Sequence, residues 1–188
     1  MRIISGLFKG KKILEPKDIN TRPLKDMTKE SIFNIINHSN KFLINLKKVK
    51  VLDLFAGTGS FGLECLSRNV EFVTFVENYN GILPILKKNL HNLKIKKNYE
   101  VIEKNILNNF DFKIFKIKYD LIFLDPPYKE KDLTNLIDSI LNYKILKSQG
   151  VIIIHRHKNQ IDILPKSFQI IEERKYGISK IIFGSYFN

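Results

Sequence analysis

Apolar residues in this chain fall into two alternating patterns. Short continuous runs occur at VKVLDLF (49–55), FVTFVE (72–77), YEVIEKN (99–105), YDLIFLD (119–125) and GVIIIH (150–155). Their length and their content of Val, Ile, Leu and Phe predict strands buried on both faces. Between them, apolar positions recur at helical spacing. The segment after the glycines runs helically through Leu66, Ile82, Leu83, Ile85, Leu86 and Leu90 mark another helix, and LTNLIDSILNY (133–143) marks a third. FQIIEERKYG and SKIIFGSYF read as a closing pair of strands with a tight turn at Gly177, which places one antiparallel member in an otherwise parallel sheet. Upstream of this body, RIISG and KKILE flank a turn over Leu7 to Gly10 and predict a β-hairpin. A loop follows at Thr21-Arg22-Pro23, and Pro23 pushes Arg22 towards extended backbone. Ile32, Phe33, Ile35 and Ile36 then predict a helix from Met27 to about Asn37. The expected fold class is α/β: a doubly wound, mostly parallel sheet with an N-terminal β-hairpin and helix.

Length fits this plan, since 188 residues make one domain with a short appendage. The expected division is a basic appendage over residues 1–45 and the α/β body over 46–188. No apolar run is long enough to span a bilayer, the N-terminus shows no signal-peptide pattern, and one cysteine leaves no disulfide framework. These features point to the cytoplasm. Charge adds more. The net formal charge is +13, and residues 1–50 hold twelve basic against four acidic residues, so over half of the excess lies in about a quarter of the chain. Such clustering favours a polyanionic partner, nucleic acid first.

The candidate chemistry sits where the runs end. Ligands of open α/β sheets bind beyond the carboxyl ends of the strands. Ala56-Gly57-Thr58-Gly59-Ser60-Phe61-Gly62 follows the first core strand, and Gly57, Gly59 and Gly62 match G-x-G-x-x-G, with Glu77 twenty residues after Gly57 to take a ribose diol. This spacing alone fits NAD and adenosyl cofactors alike. Asp53, inside the strand before the loop, leans away from NAD because a carboxylate there can hold a cationic amino group.

Asp125-Pro126-Pro127-Tyr128 follows the fourth strand. Two prolines fix the backbone and aim their carbonyls. An exocyclic amino group is a poor nucleophile because its lone pair is delocalised into the ring. Asp125 and the Pro126 carbonyl can each accept one of its N–H bonds, and Tyr128 can stack on the extruded base. Cys65, within the helix after the glycine loop, reads as a core residue and not as the nucleophile that carbon methylation needs. His155 and His157 share a strand face without a third ligand nearby, so no metal site is expected.

VLDLFAGTGSFGLE resembles motif I of the S-adenosylmethionine-dependent class I methyltransferases, which have a Rossmann-like seven-stranded core. That resemblance assigns Asp53 and the Gly57–Gly59 backbone, Thr58 included, to the methionine end of the cofactor, with Phe55 and Ala56 as further cofactor-binding positions. It assigns Glu77 to the ribose and Asn105 to the adenine amino group, with Ile106 as a further cofactor-binding position. DPPY resembles motif IV of the amino-group methyltransferases. RIISGLFKGKKILEP, RPLKDMTKESIFNII, VLDLFAGTGSFGLECLSR and DPPY together resemble the RsmD family almost end to end. The resemblance implies methyl transfer to guanine N2 of 16S ribosomal RNA, on a small-subunit assembly intermediate bound by a monomer. It makes the N-terminal segment an RNA-gripping element, with Arg2, Lys9, Lys11, Lys12, Arg22 and Lys25 on phosphates. Leu24 replaces the family's usual Thr, Lys29 its Arg and His155 its Glu. Three alternatives compete: adenine-N6 methylation of nucleic acid, which uses the same tetrapeptide; a non-catalytic RNA-binding assembly factor on the same fold; and an NAD-dependent oxidoreductase.

Overall fold

A computed structural model describes residues 1–16, 24–42, 44–108, 110–127, 130 and 133–186. Seven strands form one sheet: β1 (Lys50–Leu54), β2 (Phe72–Val76), β3 (Tyr99–Ile102), β4 (Tyr119–Leu124), β5 (Leu146–His157), β6 (Phe168–Tyr176) and β7 (Ser179–Tyr186). Their order is β3-β2-β1-β4-β5-β7-β6. β1 to β5 run parallel, and β7 is inserted antiparallel between β5 and β6. The fold is that of a Rossmann-like class I methyltransferase. Successive strands step one way from β1 to β3 and the chain then crosses back to lay β4 on the other side of β1. The strand order therefore reverses between β1 and β4, the position beyond whose carboxyl edge open α/β sheets bind ligands.

Among the described residues, four α-helices accompany the strands: α1 (Asp26–His38), α2 (Ser60–Ser67), α3 (Leu83–Asn92) and α4 (Leu133–Asn142). One apolar core joins α1, α2 and α3 to Val51, Val73, Phe75, Leu121, Phe123, Val151 and Ile153. The other joins α4 to Leu52, Leu54, Ile122, Leu124, Ile152 and Ile154. Alternate residues of one strand thus serve opposite layers, as the pleat requires. The expected strands of the main sheet and the expected helices are present with shifted ends. β3 stops at Ile102, before Glu103-Lys104-Asn105, and β5 begins at Leu146, four residues ahead of the apolar run. Its early start follows from pairing of Tyr119 with Leu146, before a register shift restores the regular ladder.

Ile3, Ile13, Leu24, Ile32, Phe33, Ile36 and Phe42 of the N-terminal segment join the same core as the body. Phe33 stacks on Phe61 at 5.4 Å, and Phe61 stacks on Phe123 of β4 at 4.0 Å. The hairpin itself is reduced to one antiparallel bridge, Arg2 with Lys12. Its remaining polar groups turn to α2 instead of extending a ladder. The Ile4 and Ser5 N–H groups donate to the two Glu64 oxygens (2.7 and 3.0 Å), and Leu7 N–H donates to the Ser67 carbonyl (2.7 Å). Gly6 makes this approach feasible, because a β-carbon there would sit 1.9 Å from the Ser67 oxygen. Lys29 falls on the buried stripe of α1 with Ile32, Phe33 and Ile36. Its ammonium donates to the Arg2 carbonyl (2.7 Å) and Ser60 Oγ (3.2 Å) and lies 3.7 Å from Glu64. Lys29 is fully buried, and burial lowers its pKa against the opposing pull of Glu64 and Asp26. A buried cation next to a buried carboxylate ties α1, the hairpin and α2 into one unit.

Candidate active site

The glycine loop owes its shape to a sequence of unusual backbone conformations. Phe55 has φ 61°, Gly57 56° and Gly59 80°. A left-handed φ is costly for Phe, so Phe55 is a strained residue at the end of β1, a pattern that marks functional loops. Ala56 N–H reaches the Val76 carbonyl (3.1 Å), and Gly59 N–H closes the turn on the Ala56 carbonyl (2.8 Å). Gly59 is then the cap of α2, and Gly62 one turn later sits so near β2 that a β-carbon would lie 2.2 Å from Phe75. Thr58 is buried, and its carbonyl accepts from Asn89 of α3 (3.0 Å). Asn89 also exchanges hydrogen bonds with both backbone groups of Leu14 (2.8 and 3.2 Å). One amide thereby links the N-terminal segment to the loop, a residue the sequence reading passed over.

Three carboxylates converge on this edge. Asp53 is 1% exposed and accepts Gly62 N–H at 2.9 Å. Burial raises its pKa well above the usual carboxylate range. The Gly62 bond opposes this, and the charges of Asp125 and Glu77 add to it. Glu77, immediately after β2, accepts from Gly57 N–H (2.7 Å) at one oxygen and from Asn78 and Tyr79 N–H (2.8 and 2.9 Å) at the other. Asn105 caps its own loop by accepting Leu107 N–H (2.9 Å), and Ile106 is buried in the α4-side core. A buried carboxylate with a second and a third beside it calls for a cation. An adenosyl sulfonium with a free ammonium fits that demand better than an anionic dinucleotide.

Asp125 leaves β4 directly beside the loop. Its N–H donates to the Leu54 carbonyl (3.4 Å), and the β1–β4 register pairs Leu54 with Leu124. The two motifs thus exit the sheet side by side. Asp125 is partly exposed and Pro126 is buried, while Pro127 faces outward. Asp125 Oδ1 lies 2.8 Å from His155 Nδ1, and His155 Nε2 lies 2.9 Å from Ser179 Oγ. Beyond it, Arg156 is fully buried. Its guanidinium donates to Asp162 (2.9 Å), the Pro127 carbonyl (3.2 Å) and the Glu130 carbonyl (2.6 Å). The carbonyl tied down in this motif is therefore that of Pro127. Neither His155 nor Arg156 was assigned a role from sequence, although both follow the apolar run of β5.

Cys65 is buried, its thiol pKa pushed up by burial. Among the described residues no group of three His, Cys, Asp or Glu is placed to hold a metal ion, and no helix is long and apolar enough to cross a membrane. Tyr128 and Arg22 lie outside the described residues. Arg2, Lys9, Lys11, Lys12 and Lys25 are exposed. They are not equivalent. Arg2 faces Asp26 at 3.7 Å, and Lys9 lies in the turn at the Ser67 end of α2.

The family profile described as Conserved hypothetical protein 95 matches residues 1–185. The "Ribosomal RNA small subunit methyltransferase D" of Buchnera aphidicola (subsp. Acyrthosiphon pisum) is 34% identical over 172 residues, covering 92% of this chain and 86% of that one. The solved structure of a Haemophilus influenzae protein named "putative methylase" superposes with a TM-score of 0.71 at 30% identity, covering 100% of this chain and 98% of the other. A more distant methyltransferase-fold chain, SMU.776, carries S-adenosylhomocysteine; it matches with a TM-score of 0.60 at 14% identity over 83% of this chain and 48% of that one.

Proposed function

The chain belongs to the RsmD family (conserved hypothetical protein 95), and we propose that it transfers a methyl group from S-adenosylmethionine to the exocyclic N2 amino group of a guanine in small-subunit ribosomal RNA. The observation that carries this reading is the adjacency of the strained glycine loop and Asp125-Pro126-Pro127 across the β1–β4 pair. In it, Asp53 and Glu77 hold the cationic and ribose portions of the cofactor, and Asn105 and Ile106 face its adenine. Bound there, the cofactor supplies an activated methyl on a cationic sulfur. Asp125 and the Pro126 carbonyl accept the N–H bonds of the amino group, which localises the nitrogen lone pair and orients it for in-line attack. Alignment of this kind supplies several powers of ten in rate. The relative's ribosomal RNA substrate and the basic N-terminal segment support RNA as the target, held by Arg2, Lys9, Lys11, Lys12, Lys25 and Arg22 as phosphate contacts. We place the protein in the cytoplasm, acting as a monomer on an assembly intermediate, with residues 1–45 as the RNA-gripping element.

The test is incubation with isotopically labelled S-adenosylmethionine and small subunits from a strain lacking the modification, followed by digestion and mass spectrometry of the labelled nucleoside. N2-methylguanosine is expected. N6-methyladenosine would keep the mechanism and overturn the substrate, and absence of label in a protein that binds the subunit would favour the assembly-factor alternative.

A further inference from the structure

We infer that His155 is a positioning residue for methyl transfer: its Nδ1–H holds Oδ1 of Asp125 so that the other carboxylate oxygen faces the amino group of the base. The inference rests on the reading of Asp125 given above. β4 and β5 are neighbours, and their register pairs Leu124 with Ile154. The next residue of each strand is therefore Asp125 and His155, set side by side at the carboxyl edge on the face shared by Phe123 and Ile153. His155 is 7% exposed, so its ring has little access to water as an alternative partner.

Of the two neutral tautomers, hydrogen-bond arithmetic selects one. An ionised carboxylate only accepts, so the 2.8 Å approach of Asp125 Oδ1 requires the proton on Nδ1. In that neutral Nδ1–H tautomer the Ser179 hydroxyl, 2.9 Å from Nε2, is the donor to the ring. Ser179 is buried and pairs with His157 in the β5–β7 ladder, so the imidazole is fixed from two strands. The Nδ1–H bond fixes the rotation of the carboxylate, which a partly exposed Asp would otherwise leave open. Ser179 takes no part in chemistry in this scheme, and its burial keeps substrate away from it.

Two substitutions separate positioning from simple packing. In His155→Asn the amide N–H occupies the place of Nδ1–H; in His155→Leu that donor is lost while the volume stays similar. Initial rates over a range of RNA concentration should show kcat down about tenfold or more in the Leu variant, with the KM for RNA and the affinity for S-adenosylhomocysteine within about twofold. The Asn variant should recover to within about threefold of wild type. Thermal unfolding of both variants, measured alongside, identifies any loss due to misfolding. A Leu variant as fast as wild type, or an Asn variant as slow as a folded Leu variant, would overturn the inference. An independent readout needs no substrate: long-range nitrogen–proton NMR of the wild type should show the His155 ring protonated at Nδ1 and bare at Nε2. The opposite tautomer would overturn the inference even with transfer intact. Absence of transfer by wild type with the Nδ1–H tautomer present would instead count against the proposed function alone.

Discussion

Replacing Asp53 with Asn separates the needs of folding from those of cofactor binding. Asp53 is 1% exposed, and among the described residues the polar partner seen for its carboxylate is one backbone N–H, Gly62 at 2.9 Å. A charge-assisted bond of this kind offsets about 1.5–3 kcal/mol, whereas the effective desolvation of a buried ion is several kcal/mol. Asp125 and Glu77 add repulsion of the same sign. The net cost of the ionised carboxylate at neutral pH is therefore about 1–3 kcal/mol. Asn keeps the Gly62 bond and removes the charge, so the ligand-free variant should be more stable by that amount, a rise in Tm of roughly 2–10 °C for a chain of this size. Linkage gives the same sign. The folded-state pKa of Asp53 is raised, so its stabilising contribution is complete below the unfolded value near 4 and is lost as pH climbs through the folded value. Wild-type stability should then decline across that window more than the variant's. The assay is differential scanning fluorimetry across pH, with and without S-adenosylhomocysteine. The ligand, whose ammonium supplies the missing countercharge, should raise the wild-type Tm and leave the variant's nearly unmoved. A variant that melts lower than wild type, or gains as much from the ligand, would refute the reasoning.

Other expectations follow from single contacts. Lys29→Met removes the cation that faces Glu64 in the buried cluster, but Arg68 (2.9 Å) and two backbone N–H groups still hold that carboxylate. Urea unfolding should show a loss of about 2–3 kcal/mol, near the lower end for breaking a buried pair; a change under about 0.5 kcal/mol would mean the ammonium contributes little. Arg156→Lys keeps a charge for Asp162 but cannot span the Pro127 and Glu130 carbonyls together. Steady-state kinetics should show kcat lower by about 10- to 100-fold with S-adenosylhomocysteine affinity unchanged, and equal loss of both would point to general unfolding. Burial raises the Cys65 thiol pKa, so iodoacetamide should label the native protein far more slowly than the urea-unfolded chain, as read by mass spectrometry.

The sequence made legible those features that local pattern encodes. Apolar runs located all seven strands, and the glycine loop and Asp125-Pro126-Pro127 announced themselves as short motifs at two run ends. What stayed hidden depends on register between distant segments. His155 lies thirty residues from Asp125 and meets it only because β5 pairs with β4. A usable signal was present: each is the first polar residue after an apolar run, and such residues of adjacent parallel strands emerge together. Arg156 was less accessible, since its partners lie in two loops, around Pro127 and Asp162, that no periodicity describes. Lys29 gave a quieter hint by occupying the apolar stripe of α1, three residues before Ile32 and seven before Ile36. The reduction of the hairpin to one bridge was not readable either, because its backbone groups are satisfied by Glu64 and Ser67, sixty residues on.

The central claim is that Asp125, set beside the glycine loop, acts on the amino group and not on the cofactor. Single-turnover methyl transfer to small-subunit RNA, with S-adenosylhomocysteine affinity measured on the same preparations, tests it in Asp125→Ala. The account predicts a rate at least about a thousandfold below wild type, with cofactor affinity within about threefold. Transfer near the wild-type rate, or a loss explained wholly by weaker cofactor binding, would contradict it.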